Sequence, residues 1–227
     1  MKTRKFIMMA MLLLAGAAVK AQTLTQAEQD AYTKAITDRS AKYVVAIGVT
    51  DTTSKKFTKV RDILVGQYRA LSTIHDASKA KAKEIKTAAG DDKAAANAQI
   101  ALLDSAKAKQ LAEQHNVFLT KLGKELSAEQ VEKVKDQMTY NKVAVTYNAY
   151  LDELPQLTEE QKGKLKGWLV EAREKAIDAG SSDEKTAIFG KYKGRINNYL
   201  SAQGYDMKKA GEEWQKRIKE RAAAKTQ

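Results

Sequence analysis

The sequence predicts an all-α protein: an antiparallel helical bundle with a long helical hairpin and several shorter C-terminal helices. Three observations carry this. The chain has a single proline, Pro155, among abundant alanine and lysine, a composition that suits helix. Apolar residues recur at intervals of three and four, the period of one helical face. A phrase of Leu, Ser or Thr, two residues and Gln begins at Leu126 (LSAEQ) and again at Leu157 (LTEEQ), with a looser copy, LTQAEQ, at Leu24.

Taken in order, Tyr32, Ile36, Tyr43 and Ile47 make one stripe of a first helix from about Thr25 to Ala46. Gly48 and the threonine-rich TDTTS end it. Phe57, Val60, Leu64, Tyr68, Leu71 and His75 share a face of a second helix that runs to Ala89, where Gly90 serves as C-cap. Asp91 or Asp92 caps a third helix, whose later face carries Leu111, His115, Phe118 and Leu122. Two long helices joined by so short a turn form an antiparallel hairpin. Its alanine-rich end has few large side chains, and is expected to be loose and to project beyond the core. Ser127 opens a short helix to about Thr139. The Val- and Tyr-rich NKVAVTYNAYLDELP reads as a partly irregular connector, with room for a short helix at Ala149–Leu154, closed by Pro155. Thr158 starts the next helix, with Leu165, Trp168, Leu169, Ala172, Ala176 and Ile177 facing the core and Gly180 ending it. Ser181 opens another through about Gln203, Gly204 breaks that one, and Asp206 caps a last helix bearing Trp214 and Ile218. The tail RAAAKTQ is expected to fray.

The repeated phrase has a physical meaning. Ser127 with Gln130, and Thr158 with Gln161, have the spacing of a capping box. The hydroxyl accepts a bond from the third helical amide, and the Gln side chain reaches back to the cap amide. Thr25 with Glu28, and Ser181 with Glu184, repeat the logic. Leu126 can staple onto Val131, whereas Leu157 faces Lys162 at the matching position and needs a partner elsewhere in the core.

The N-terminus reads as a signal peptide over residues 1–21: Lys2, Arg4 and Lys5, then FIMMAMLLLAGAAV, then Val19-Lys20-Ala21 before a mature start at Gln22. A periplasmic or secreted location is expected, with residues 22–227 forming a single helical domain and no transmembrane segment after cleavage. The formal charge of +12 falls to +8 once Lys2, Arg4, Lys5 and Lys20 are removed. The chain has no cysteine, so a cysteine-linked lipid anchor is excluded and packing alone holds the fold. The positive charge suits anionic surfaces and acidic groups. Nucleic acid is not an expected partner of an exported chain.

Chemistry-bearing motifs are sparse. His75 and His115 are the two histidines, neither in a metal-ligand spacing; a zinc site needs distant carboxylates to complete it, and no metal or cofactor is expected. His115 on an apolar face reads as a packed, hydrogen-bonded core residue. There is no nucleophile elbow and no phosphate-cradling glycine loop. Asp152 and Glu153, beside Tyr147 and Tyr150 on the connector, are the best-placed carboxylate pair for glycosidase chemistry, which needs a separation set in three dimensions. The segment GKYKGRINNYLSAQGY is a candidate anion or acidic-glycan site: Lys191, Lys193 and Arg195 flank Tyr192, with Tyr199 and Tyr205 beyond. There Arg195 could act as a fork and a tyrosine as a stacking platform.

Two family resemblances rest on these residues. The LSAEQ and LTEEQ phrases are similar to those of LTxxQ-motif periplasmic proteins of Spy and CpxP type. That resemblance implies a helical cradle holding unfolded envelope proteins without ATP. MTYNKVAVTYNAYLDELPQLTEEQ, WLVEAREKAIDAGSS and GKYKGRINNYLSAQGYDMKKAGEEW resemble an exported Gram-negative family known as domain of unknown function 3826. The family-like portion is 126–217, and it implies a helical secreted protein with no catalytic residues to carry over. The expected role is therefore an interaction protein with unfolded or envelope proteins as partners, chaperone-like or related to envelope stress. The alternative is an accessory binder of acidic polysaccharide through Lys191–Tyr205. A carbohydrate-active enzyme using paired carboxylates comes third. The oligomeric state stays open.

Overall fold

The computed structural model describes residues 25–224. The expected signal peptide and the Gln22 start lie outside them. The described residues form eight helices and no strands: α1 Gln26–Ala46, α2 Lys55–Ala89, α3 Lys93–Gly123, α4 Ala128–Met138, α5 Lys142–Glu153, α6 Glu159–Ala176, α7 Ser182–Ala202 and α8 Met207–Ala224. None is long and apolar enough to cross a membrane.

The caps explain where most of these helices begin. Thr25, Ser127 and Thr158 each accept from the third helical amide while Glu28, Gln130 and Gln161 bond back to the cap amide. Ser181 departs from the expected box. Its hydroxyl accepts from the Glu184 amide at 3.1 Å, but the Glu184 carboxylate takes the Gly180 amide at 2.8 Å, one residue further out. Asp92 is the cap of α3, accepting from the Ala95 amide at 3.0 Å. Asp206 accepts from the Lys209 amide at 3.0 Å.

The helices α2 and α3 form the expected antiparallel hairpin, turning at Gly90, whose φ of 52° is costly for any residue with a Cβ. Over residues 79–107 only Ile85 and Ala96 are buried. Small side chains leave little apolar area to remove from water there.

Two apolar clusters fill the interior. One joins Val44, Phe57, Leu64, Phe118, Leu122 and Val134 from α1 to α4. The other joins Tyr150, Leu165, Leu169, Phe189, Ile196 and Leu200 from α5 to α7. Helix α6 serves both, because Ala176 packs in the second cluster and its neighbour Ile177 in the first. Leu157 finds its partners in the second cluster, and Leu126 and Val131 share the first. Between α4 and α6 lies a charged seam. Arg173 is 4 % exposed and meets Asp136 at 2.7 Å, Glu174 at 2.9 Å and Glu132. Lys135 joins Glu174 at 3.1 Å and also Glu132. A buried guanidinium is tolerable because three carboxylates surround it.

Three sequence expectations need correction. The connector is a full helix, α5, instead of an irregular segment with a short helix at its end. Tyr140 and Asn141, with φ of 59° and 54°, reverse the chain before it. Val143, Tyr147, Tyr150, Leu151 and Leu154 then fall on one helical face against the second cluster. Burial of that face outweighs the weak helix propensity of valine and tyrosine. Gly180 does not end α6, which stops at Ala176 with Ile177 as C-cap. Glycine is needed for a different reason: a Cβ at 180 would lie 2.7 Å from the His75 ring. Lastly, Arg221–Ala224 continue α8 where fraying was expected. Both guanidinium arms of Arg221 reach Asp152 at 2.9 Å, and Arg217 donates to the carbonyls of Asp152 and Glu153 at the end of α5.

If Ser127 and Thr158 launch helices, Ser127→Ala and Thr158→Ala each lower the unfolding free energy by about 1 kcal/mol. The two losses add within error in the double variant. Chemical denaturation with unchanged m-values checks this.

Candidate ligand cleft at the junction of the helices

The turn after α6 carries the polar contacts that organise the site. The Asp178 carboxylate lies 2.7 Å from Nδ1 of His115, and its other oxygen 3.5 Å from the Gln67 amide nitrogen. Gln67 in turn accepts from Gln114 at 2.7 Å. The Asp178 carbonyl is 2.8 Å from Nε2 of His75, so that nitrogen carries the proton. Both histidines of the chain thus converge on one residue. His115 is a hydrogen-bonded junction residue, as its apolar face suggested, but its partner is a carboxylate. That bond holds its pKa above the ordinary histidine value, with burial opposing. The His115–Asp178 pair is aimed at itself and neither residue lines the cleft formed beside it.

Holding the turn here places the start of α7 against α1 and α2. A cleft of about 140 Å³ results, walled by Tyr32 and Arg39 from α1, Tyr68 from α2, the strained Tyr140, and Ser181 and Lys185. No carboxylate lines it. Lys185 is 5 % exposed, and its ammonium donates to the Met138 carbonyl at 2.9 Å. It has no carboxylate within ion-pair distance among the described residues. Lys185 and Arg39 sit 5.8 and 5.7 Å from the centre of the same Tyr68 ring. The Tyr68 hydroxyl is enclosed, with the Tyr43 hydroxyl as an electrostatic neighbour outside hydrogen-bond geometry. Burial pushes Lys185 down to about 8, and the charge of Arg39 adds to this while Asp178 opposes it. Burial also drives the Tyr68 phenol far up, so it stays protonated.

The residues singled out from sequence go elsewhere. Tyr150 and Tyr192 are core, with Tyr147, Tyr199 and Tyr205 packed partly buried against them. Tyr192 therefore offers no open stacking face; Lys175 lies over its ring at 5.3 Å. Arg195 stacks on Trp168 at 4.4 Å and reaches Glu171 at 3.4 Å. Lys191 and Lys193 are exposed. The Tyr205 hydroxyl donates to Gln161 at 2.8 Å, and the same oxygen accepts from the Thr158 amide, so this phrase is internal structure. Asp152 has both oxygens engaged, by Arg221 and by the Trp214 indole at 2.8 Å. Glu153 is half-buried, which raises its pKa against the pull of Lys193 and Arg217. Among the described residues no group of three His, Asp or Glu is placed to hold a metal.

Sequence reasoning missed Lys185, although a signal was present. Lys185, Phe189, Tyr192, Ile196 and Leu200 are spaced by four, three, four and four, so a lysine sits on the core stripe of α7. Its partners, Arg39 and Tyr68, lie more than a hundred residues away and carried no such mark.

Two pH-dependent stabilities follow. His115 is held above its ordinary value, so its contribution is full below about pH 6.5 and fades as pH rises through the folded value. His115→Gln should therefore cost more stability at pH 5.5 than at pH 8.5. Lys185 has the opposite sense. Its lowered value means that charging it in the fold costs about 3 kcal/mol below pH 8, relieved between about pH 8 and 10.5. Lys185→Met should raise Tm by a few degrees at pH 7, with the gain shrinking towards pH 10. Thermal unfolding across pH reads both.

A family described as a protein of unknown function, DUF3826, matches residues 33–220. The match reaches from α1 into α8 and extends beyond the family-like portion 126–217. No curated protein matches the chain.

Proposed function

The chain belongs to the DUF3826 family of proteins of unknown function, and within it we propose that this protein binds a small anionic group in the cleft between Lys185 and Arg39. One observation carries the reading: a lysine ammonium buried to 5 % exposure faces a cleft with a second cation and no carboxylate. A buried, unpaired charge is costly, and a bound anion offsets that cost. Two further features support it. Ser181 and Ser182 start α7 at the cleft wall, where the helix dipole favours negative charge. Tyr140 holds a left-handed backbone at the rim, a conformation that bulky residues keep only where the surroundings enforce it.

The group fits a carboxylate, free or carried on an acidic sugar. This keeps the acidic-glycan reading suggested by the net charge but moves it from Lys191–Tyr205, where the tyrosines are packed inward, to the cleft. The binding takes place outside the cytoplasm if residues 1–21 direct export. A client-holding role draws on exposed apolar side chains such as Leu102 and Val145, on α3 and α5, and ranks second. Its own observation would be suppression of client aggregation without nucleotide. The glycosidase reading ranks third, since both oxygens of Asp152 bond to Trp214 and Arg221 of α8.

Acetate, galacturonate, sulfate and phosphate are titrated against the mature protein at constant ionic strength, with galactose as the neutral control. The expected result is a saturable rise in Tm with at least one anion, weakened about tenfold or more by Lys185→Gln or Arg39→Gln. No anion outperforming chloride would exclude the reading.

A further inference from the structure

Lys185 differs from every other lysine of the fold in a way that reaches beyond holding an anion. Its side chain helps to wall the cleft, and one neutral acceptor, the Met138 carbonyl, is the hydrogen-bond partner of its amine. No carboxylate stands within ion-pair distance to keep it as an ammonium. Lys135, also buried, has two such partners, Glu132 and Glu174. The charged and titratable groups around Lys185 are Arg39 and Tyr32 from α1, Tyr68 from α2, Tyr140 before α5 and Asp178 from the turn. Arg39, also within 6 Å of the Tyr68 ring centre at 5.7 Å, supplies a second cation on which a carboxylate can rest while another part of the same molecule meets the amine.

We propose that Lys185 is a nucleophilic amine that forms an imine with a small carbonyl compound bearing a carboxylate, such as a 2-oxo acid or an aldehyde acid. The inference rests on the anion-binding reading, since Arg39 anchors the carboxylate. The step balances without oxidant or reductant. The neutral amine attacks the carbonyl carbon, one of its two protons passes to the carbonyl oxygen, and a carbinolamine forms. Loss of that hydroxyl together with the remaining nitrogen proton, as water, leaves the carbon–nitrogen double bond. A small acid of this kind has few heavy atoms, in keeping with a cleft of about 140 Å³. The lowered proton affinity of the amine supports the step, because a larger share is neutral near pH 8 than for an exposed lysine. Amines desolvated beside a second cation are activated in this way.

Glyoxylate is incubated with the mature protein and cyanoborohydride, which reduces any imine to a stable secondary amine. Intact mass and peptide mapping then locate the product. The expected outcome is one adduct per chain, at Lys185, formed about tenfold faster than on exposed lysines such as Lys191 and Lys193. Its rate rises as pH passes through 8 and falls when acetate competes. Lys185→Arg should keep the stabilisation by acetate and lose the adduct. Adducts spread evenly over exposed lysines, or none at all, overturn the proposal. Acetate binding without an adduct overturns the imine alone and leaves the anion site standing, whereas absence of both removes the two together.

Discussion

The bond between His115 and Asp178 joins the two ends of the molecule's logic. His115 and His75 belong to the hairpin, Asp178 to the turn after α6, and Gln67 reaches the same carboxylate from α2. No disulfide is possible in a chain without cysteine, so the register of α6 and α7 against the hairpin depends on such contacts and on the charged seam. Gly180 shows how close the fit is, since its missing side chain is the space occupied by the His75 ring. Once the turn is fixed, the first turn of α7 has one place to go. It carries Ser181 and Lys185 to the wall formed by α1 and α2.

Among the described residues three cations are buried, and the fold treats them differently. Arg173 and Lys135 are surrounded by Glu132, Glu174 and, for Arg173, Asp136. Their desolvation is offset within the fold, and they bind α4 to α6. Lys185 has one carbonyl and the face of one aromatic ring, that of Tyr68. A carbonyl dipole compensates a buried charge far less than a carboxylate does. Stability alone favours an apolar residue at that point of the α7 stripe. The charge is thus better understood as something the cleft requires than as something the fold requires.

Much of the fold was legible in the sequence because the signals are local. Capping boxes at Thr25, Ser127 and Thr158, the stripe of α6 and the turn at Gly90 each act within a few residues, and the helices start where these patterns place them. The misreadings share a cause. Helix α5 has poor local propensity and is made helical by the face it buries, and the end of α8 is held by Asp152, some seventy residues earlier. The candidate site was the least legible part. The tyrosines near Arg195 looked like a binding platform because lysines and an arginine flank them, yet Tyr192 is turned into the core. Lys185 was readable as an anomaly on its stripe, but its chemistry comes from Arg39 and Tyr68, which only tertiary packing brings together.

The central claim is that Lys185 carries a buried charge which the protein leaves for a ligand to compensate. It is tested most directly by following the Lys185 side-chain NMR resonance through a pH titration, with and without a saturating small carboxylate. The account predicts a midpoint near 8 in the free protein, moved upward towards the ordinary lysine range when the anion is bound. An ordinary midpoint in the free protein, unmoved by the anion, would contradict it.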